Sequence, residues 1–291
     1  MKGFMAILLA AVLCMALAAC QAEEPVVTVP EEIPVPTLTD MGQTEPVLRE
    51  QMIYDADGVR ITVKGMEENT MTGTQIKVLV ENGTDRNLVL SGDLFVVNGV
   101  TVPGYLYAEV AAGTRTHDAI ELYPDVLKSA GIGQIGTLLG YDTRIVDTDT
   151  YEILARVPME LTTAYAQAGE FVPEESGVEL YRDREITVIA QMITDEFYGK
   201  TARLLVKNET GKDIIVEAEN IAVNGYTVDA WLYDTVVADT VRYCHLDLFE
   251  TGLAENGIDH IETISFRLNF LDAVSFETLA RTEVLTVAVR G

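Results

Sequence analysis

The sequence predicts an all-β protein built as two tandem immunoglobulin-like antiparallel β-sandwich domains, each with one short helix. Three observations carry that expectation. Residues 78–102 read VLVENGTDRNLVLSGDLFVVNGVTV and residues 204–228 read LLVKNETGKDIIVEAENIAVNGYTV, which align without a gap. Asn82 falls on Asn208, Thr84 on Thr210 and Asn98-Gly99 on Asn224-Gly225, and a repeat of that length is one folding unit written twice. Apolar and polar residues alternate through many short segments separated by turn residues, the period of half-buried strands. The chain has 291 residues, 48% of them hydrophobic, enough for two separate cores.

The first copy, residues 51–163, opens with the alternating run Val59-Arg60-Ile61-Thr62-Val63. Ile76, Val78 and Val80 then share one face while Gln75, Lys77, Leu79 and Glu81 share the other. A polar turn over residues 82–87 leads to Leu88-Val89-Leu90. Asn98-Gly99 between β-branched residues is a hairpin signal, because both turn residues can take φ > 0. Residues 105–110 and 116–122 read as further strands. Pro124 to Ala130 reads as the helical piece, with Pro in its first turn and Gly131 beyond its end. Strands around residues 135–139 and 151–161 close the copy.

A Pro/Gly/Glu-rich linker, residues 164–177, precedes the second copy, residues 178–291. There Ile186-Thr187-Val188 answers Ile61-Thr62-Val63, and Trp231-Leu232-Tyr233 answers Tyr105-Leu106-Tyr107. Residues 249–257 occupy the helix position and residues 261–270 form a long alternating strand. The Cys…Trp…Cys framework of antibody domains is absent, so the expectation is of architecture alone.

The N-terminus reads differently. Residues 1–20, MKGFMAILLAAVLCMALAAC, place Lys2 before an apolar run and end on small residues. The run is shorter than the ~20 residues that span a bilayer. It resembles a bacterial lipoprotein signal whose lipobox is Leu17-Ala18-Ala19-Cys20. The resemblance implies a signal peptide of residues 1–19, a lipid on the sulfur of Cys20, and anchoring to the outer face of the cell membrane; two or more acyl chains anchor stably. Cys14 would leave with the signal and Cys20 be lipidated, which leaves Cys244 without a disulfide partner. Residues 20–50 hold five of the nine prolines and many carboxylates, the composition of an extended, hydrated tether reaching on the order of 30 Å.

The pattern of strand, Val-x-Asn-x-Thr, short strand, Val-Asn-Gly and strand, present at Val80–Thr84 with Val97–Gly99 and again at Val206–Thr210 with Val223–Gly225, is similar to uncharacterised immunoglobulin-like domains of surface lipoproteins from Gram-positive gut bacteria. That resemblance covers both copies and brings no catalytic residues.

The charge limits the partners. Forty-six acidic residues against 20 basic give a net charge of −26. No Lys/Arg footprint for a phosphate backbone is visible, so no nucleic-acid partner is expected. No Walker loop, nucleophile elbow or dinucleotide fingerprint occurs, so neither a cofactor nor an enzyme is expected. Cys244-His245 cannot form a dyad, since adjacent strand residues point to opposite faces, and a buried structural cysteine is the expectation. His117, His245 and His260 lack metal-ligand spacing. Asp142, Asp147 and Asp149 are the weak candidates for calcium, against which stands the simpler reading of a solvated acidic turn. Asn82-Gly83-Thr84 and Asn208-Glu209-Thr210 match a glycosylation sequon, but a shared turn explains their repetition. The aromatic pairs Tyr105/Tyr107 and Trp231/Tyr233 recur at one position of each copy, each pair on one face of its strand. Core or edge packing is the common fate of such residues; exposed pairs would stack on sugar rings or a partner protein.

The expectation is therefore a lipid-anchored, non-catalytic surface protein whose two domains bind a protein or a glycan. The alternatives are a calcium-dependent binder or cell-envelope hydrolase using acidic loops, and a passive spacer. Cys20→Ala should move the protein from the membrane to the soluble fraction on fractionation; retention in the membrane would refute the lipoprotein reading.

Overall fold

The computed structural model describes residues 26–27, 47–69, 73–168, 171–183 and 185–289. The signal peptide, the lipobox with Cys20, and most of the tether lie outside the described residues. Among those described, no helix is long and apolar enough to cross a membrane.

The protein is all-β, with sheets arranged as in a sandwich. A two-residue strand, β1 (Val26–Val27), pairs in parallel with Ala288 and Val289 at the far end of the chain. In the first repeat one sheet runs in the order β2 (Gln51–Ala56), β3 (Val59–Asn69), β4 (Gly73–Asn82), β7 (Arg115–Leu122). The opposing sheet centres on β5 (Leu88–Val97), flanked by β6 (Val100–Val110) on one side and by β8 (Thr137–Tyr141) and β9 (Arg144–Asp147) on the other. Strands β10 (Ile153–Arg156) and β11 (Met159–Thr162) pair outside β9 and β8. The helix α1 (Pro124–Ser129) follows β7 and buries Leu127.

The second repeat copies this wiring. Its first sheet is β12 (Val178–Arg182), β13 (Ile186–Glu196), β14 (Gly199–Asn208) and β19 (Thr240–Phe249). Its second centres on β15 (Ile214–Val223), flanked by β16 (Tyr226–Thr227) and β18 (Tyr233–Val236) on one side and β20 (Thr263–Asp272) on the other. The short β17 (Ala230–Trp231) crosses to pair with β19. Beyond β20 lie β21 (Thr278–Arg281) and β22 (Leu285–Val289), and α2 (Glu250–Glu255) stands where α1 does. The long strand β20 answers β8 and β9 together: the first repeat breaks the strand at Asp142, which takes φ +51°.

Sequence chemistry explains the matching turns. Asn98-Gly99 and Asn224-Gly225 adopt φ of +51°/+82° and +51°/+84°, the double left-handed conformation that joins twisted strands with two residues. The side chains of these asparagines do more. Asn98 accepts from the Gly136 and Thr137 amides at 2.8 and 2.9 Å and donates to the Gln134 carbonyl at 2.7 Å. Asn224 repeats this with Glu262, Thr263 and His260 at 2.8, 3.0 and 2.7 Å. Each turn thus pins the loop that follows the helix.

The sequon asparagines are structural too. Asn82 is buried, and its amide nitrogen donates to the carbonyls of Arg86, Val110 and Ala111 at 2.7–3.3 Å. Asn208 is fully buried and donates to Lys212, Val236 and Val237 at 2.8–3.1 Å. Their oxygens accept the backbone and hydroxyl hydrogens of Thr84 and Thr210. With that nitrogen enclosed and committed, neither side chain is open to a glycan.

Two boundaries differ from expectation. Strand pairing sets Ile61 opposite Val80 and Val188 opposite Val206, so Val59-Arg60-Ile61, not Ile61-Thr62-Val63, is the counterpart of Ile186-Thr187-Val188. A two-residue slip keeps every side chain on the same face, so the alternating pattern could not reveal it. The tether also ends sooner: Leu48 is buried in the first core, and the Val47 carbonyl accepts from Ala164.

Alternation is clean on β4 from residue 74 on, where odd positions are half-exposed, but residues 201–206 of β14 and 186–191 of β13 are all buried. One face of that sheet covers its own core. The other meets the first repeat, where Ile189, Leu205 and Tyr243 join the first core. Their counterparts by strand pairing and repeat offset, Thr62, Leu79 and His117, face outward and are partly or fully exposed. Glu174 of the linker docks on this junction: its amide donates to the Tyr243 hydroxyl at 3.0 Å, and Gln191 donates to its carbonyl at 2.6 Å.

Asn208→Ala removes three donated hydrogen bonds and strands buried carbonyls. It should destabilise the protein by roughly 3 kcal/mol in chemical denaturation, whereas an exposed helical control such as Glu255→Ala should change it by less than about 0.5 kcal/mol.

Candidate functional site

The repeats meet in a narrow contact. Val241 of β19 forms a single parallel bridge with Val100 of β6, its amide donating to the Gly99 carbonyl at 3.1 Å. The hydroxyls of Thr101 and Thr240 share a hydrogen bond of 2.7 Å, and Thr101 Oγ1 also accepts from the Val237 amide at 3.2 Å. Leu94, Val96 and Val237 make a small apolar cluster against Tyr141. Tyr141 bonds Asp213, and burial first, then that carboxylate, push its pKa up to about 12. Arg203 is buried over the Tyr243 ring at 4.9 Å and donates to the Ser129 carbonyl at 2.7 Å. Its pKa is lowered by burial, against the pull of Tyr243 and Glu174.

Beside this contact opens a cleft of about 230 Å³. The first repeat contributes Thr101 and Pro103 from β6 and Val126, Ser129 and Ala130 around α1; the second contributes Trp231, Tyr233, Arg242, His245 and Asp247, among others. Arg242 is paired with Asp234 and donates to the Thr235 carbonyl at 2.7 Å. Asp247 Oδ1 accepts from Thr201 at 2.6 Å and from the Tyr198 hydroxyl at 3.1 Å.

All four candidate aromatics lie on the surface, so core packing is not their role. Tyr105 and Tyr107 are 48% and 46% exposed, and Trp231 and Tyr233 are 59% and 41% exposed. Within each pair the rings sit together, with centroids 6.4 Å apart at 22° in the first repeat and 5.9 Å apart at 32° in the second. Trp231 and Tyr233 line the cleft. Tyr105 and Tyr107 follow Pro103 on the same face of β6, whose burial alternates through that stretch.

Strand register supplies what spacing along the chain could not show. Tyr105 is directly opposite Glu121, and Trp231 is directly opposite Asp247. The second members face Ser91 and Glu217. Opposed residues project to the same side with Cβ atoms about 5 Å apart, so each repeat sets a carboxylate beside its first ring. Glu121 and Asp247 stand 126 positions apart in the sequence, as do Tyr105 and Trp231. That common offset was visible in the sequence; the pairing of β7 and β19 with the aromatic strands was not.

The other candidates have structural places. Cys244 is fully buried in the second core, while His245 beside it is exposed in the cleft. Burial, with Asp234 nearby, pushes the Cys244 thiol well up, which keeps it protonated and unreactive. Of the acidic candidates, Asp142 lies between Arg144, at 2.7 Å, and Arg156. Asp147 Oδ1 accepts the amides of Asp149 and Thr150 at 2.9 and 3.1 Å, and Asp149 is exposed. The second repeat builds the same turn on Asp272, which accepts from Val274 and Ser275 at 3.0 Å and pairs with Lys212 at 3.1 Å. Among the described residues no group of three or more His, Cys, Asp or Glu side chains is arranged to hold a metal ion.

Against known proteins, the sequence matches no family model and no curated protein. Among solved structures, Bacteroides uniformis beta-glucuronidase 2, covalently bound to cyclophellitol-6-carboxylate aziridine, is similar over 74% of this chain at 12% identity and a TM-score of 0.24. The matched part spans 26% of that protein. A likeness at that TM-score establishes neither a shared fold nor a shared activity.

The acidic turns carry a pH signature. The amides of Ser275 and Val274, then Lys212, hold the Asp272 pKa at about 2, and Asp147 is lowered by Thr150 and Asp149 amides. A depressed carboxylate stabilises the fold above its unfolded pKa of about 4, and that contribution is lost as pH falls through the folded value. Asp272→Asn should therefore flatten the dependence of stability on pH between about 4 and 2, read by denaturation at stepped pH.

Proposed function

We propose that this chain is a lipid-anchored, extracytoplasmic protein whose two immunoglobulin-like domains bind a carbohydrate or protein partner at the cell surface without catalysing a reaction. Cys20 carries the lipid in this reading, and the Pro/Glu-rich stretch after it links the lipid to the domains, with Val26 and Val27 held against β22. The sandwich-like arrangement of strands and the internal repeat support the domain reading.

One observation carries the binding reading. The same exposed aromatic pair occurs at the same strand position of both repeats, and in the second it borders a cleft with an arginine, a histidine and two carboxylates. Large rings left in water forgo the apolar burial that would otherwise stabilise the fold, and a ligand that covers them recovers it. A polar rim around exposed rings is the composition of a recognition surface. The Cys244 thiol points into the core, and the Thr101 and Ser129 hydroxyls of the cleft are taken up in hydrogen bonds to Thr240 and to the Val126 carbonyl. A surface rich in ring faces suits holding a ligand.

Trp231 is the chain's single tryptophan, so its fluorescence reports the cleft directly. Titration with soluble glycans and with a solubilised cell-wall fraction should shift its emission and shield it from acrylamide. Tyr233→Ala should weaken that binding roughly tenfold or more while leaving the melting temperature unchanged. No shielding by any fraction would favour a passive spacer instead.

A further inference from the structure

We infer that the two aromatic–carboxylate pairs, Trp231/Asp247 and Tyr105/Glu121, bind ammonium-bearing sugars, and that one amino-sugar polymer engages both. This deepens the carbohydrate form of the proposed function and rests on it.

Two carboxylates, Asp247 and Glu121, lack a cationic partner among the described residues. Asp247 has two neutral hydroxyl donors, Thr201 and Tyr198, on one oxygen. Glu121 has a neutral amide donor, Gln75, at 3.2 Å. Neither carboxylate has an ion-pair partner among the described residues, whereas the neighbouring Arg242 is satisfied by Asp234. Each free carboxylate sits directly across the strand pair from an exposed ring. A ring face attracts a cation through its quadrupole, and a carboxylate accepts a charge-assisted hydrogen bond from an ammonium. The two together select a positively charged group lying against an apolar face. The chain's net charge of −26 draws such a ligand in and repels an anionic polymer.

A sugar fits better than a lysine side chain. A pyranose presents a flat C–H face to the paired rings while its amine reaches the carboxylate at their edge. The flexible lysine stem offers no such face. Arg242 and His245 in the same cleft have polar atoms for ring hydroxyls.

Continuity argues for a polymer. Pro103 lines the cleft, and Tyr105 and Tyr107 follow it on the outward face of β6, each step of two residues advancing about 7 Å. The rings of the first repeat therefore lead away from the cleft that Trp231 and Tyr233 border. A chain with regularly spaced ammonium groups can reach both carboxylates, and the second contact then forms at high effective concentration.

The test is calorimetric titration of the full chain carrying Cys20→Ala, in one mildly acidic buffer, with three probes: chitosan oligomers of increasing length, the N-acetylated chitin oligomers of equal length, and poly-lysine. The expected result is binding of chitosan that weakens with added salt and tightens at least tenfold from the dimer to longer oligomers. Asp247→Asn, which keeps the acceptor for Thr201 and Tyr198, should weaken it about tenfold. Glu121→Gln should remove most of the gain with length, so that the ratio of long-oligomer to dimer affinity falls toward one. Both variants should keep the parent's melting temperature and circular dichroism. Equal affinity for the N-acetylated oligomers would overturn the charge argument and leave carbohydrate binding standing. Binding of poly-lysine in place of chitosan would overturn the choice of ligand class. A loss for Asp247→Asn accompanied by a lowered melting temperature, with Glu121→Gln unchanged in every respect, would overturn the assignment of these carboxylates. No response to chitosan would overturn this inference alone, since shielding of Trp231 by other glycans judges the reading beneath it.

Discussion

One buried amide side chain holds each repeat together, and the surface features depend on it. Asn82 and Asn208 each gather three carbonyls from two separate segments: the turn just after the strand, and the end of the strand that carries Tyr107 or Tyr233. Backbone groups at a strand end have lost their ladder partners and, when buried, must find others. A single primary amide offers two donors and an acceptor in one plane, which suits this task as no hydroxyl could. By tying residues 110–111 and 236–237 to the core strands β4 and β14, these amides fix where β6 and β18 end. They thereby help set the positions of Tyr107 and Tyr233 a few residues upstream. Asn98 and Asn224 do the corresponding work at the other end, where the hairpin turn holds the loop after the helix. The surface site is thus built on polar cores that keep the sheets in register.

Much of this was legible in the sequence because the duplication labels it. The repeated Val-x-Asn-x-Thr and Val-Asn-Gly segments marked turns, and the left-handed Asn-Gly conformation is the conformation that those residues favour. Cys244 read correctly as core because its neighbour His245 had to face the other way. The long-range partners of the asparagines were not legible, since they lie 28 or more residues away, as with Val110 and Val236. Strand register was legible only modulo two, which is why the counterpart of Ile186 was displaced to Ile61 although both faces were assigned correctly. The aromatic pairs were visible as pairs, but whether a ring is covered depends on which strands lie above it. The carboxylates opposite them became visible only with the register.

The repeats differ most where they touch. The outer face of the first-repeat sheet carries Thr62, Lys64, Lys77 and His117, and water covers part of it. The same face in the second repeat carries Ile189, Gln191, Arg203 and Tyr243, and it is buried. Replacing alternate polar residues by apolar ones turns a half-buried strand into a fully buried one, and the sequence then loses its period of two. The run ITVIAQ of β13 is the visible trace of that contact. The polar residues kept there are each tied: Gln191 to the Glu174 carbonyl, Arg203 to the Ser129 carbonyl and the Tyr243 ring.

This asymmetry accounts for the cleft as well. If both repeats kept the polar face, nothing would hold the end of the first sandwich against the side of the second. If the contact were apolar throughout, it would close over Trp231. Instead the apolar anchors Ile189, Leu205 and Tyr243 lie within the first core, while the outer part of β19 carries His245 and Asp247 on the same face and stays open. Moving along that one strand, every second residue passes from buried anchor to solvated lining. The spacing of two residues, about 7 Å, is therefore the distance between the interaction that joins the repeats and the surface that the join exposes. A change at Tyr243 acts on both, through the packing it provides and through the edge of the cleft it forms.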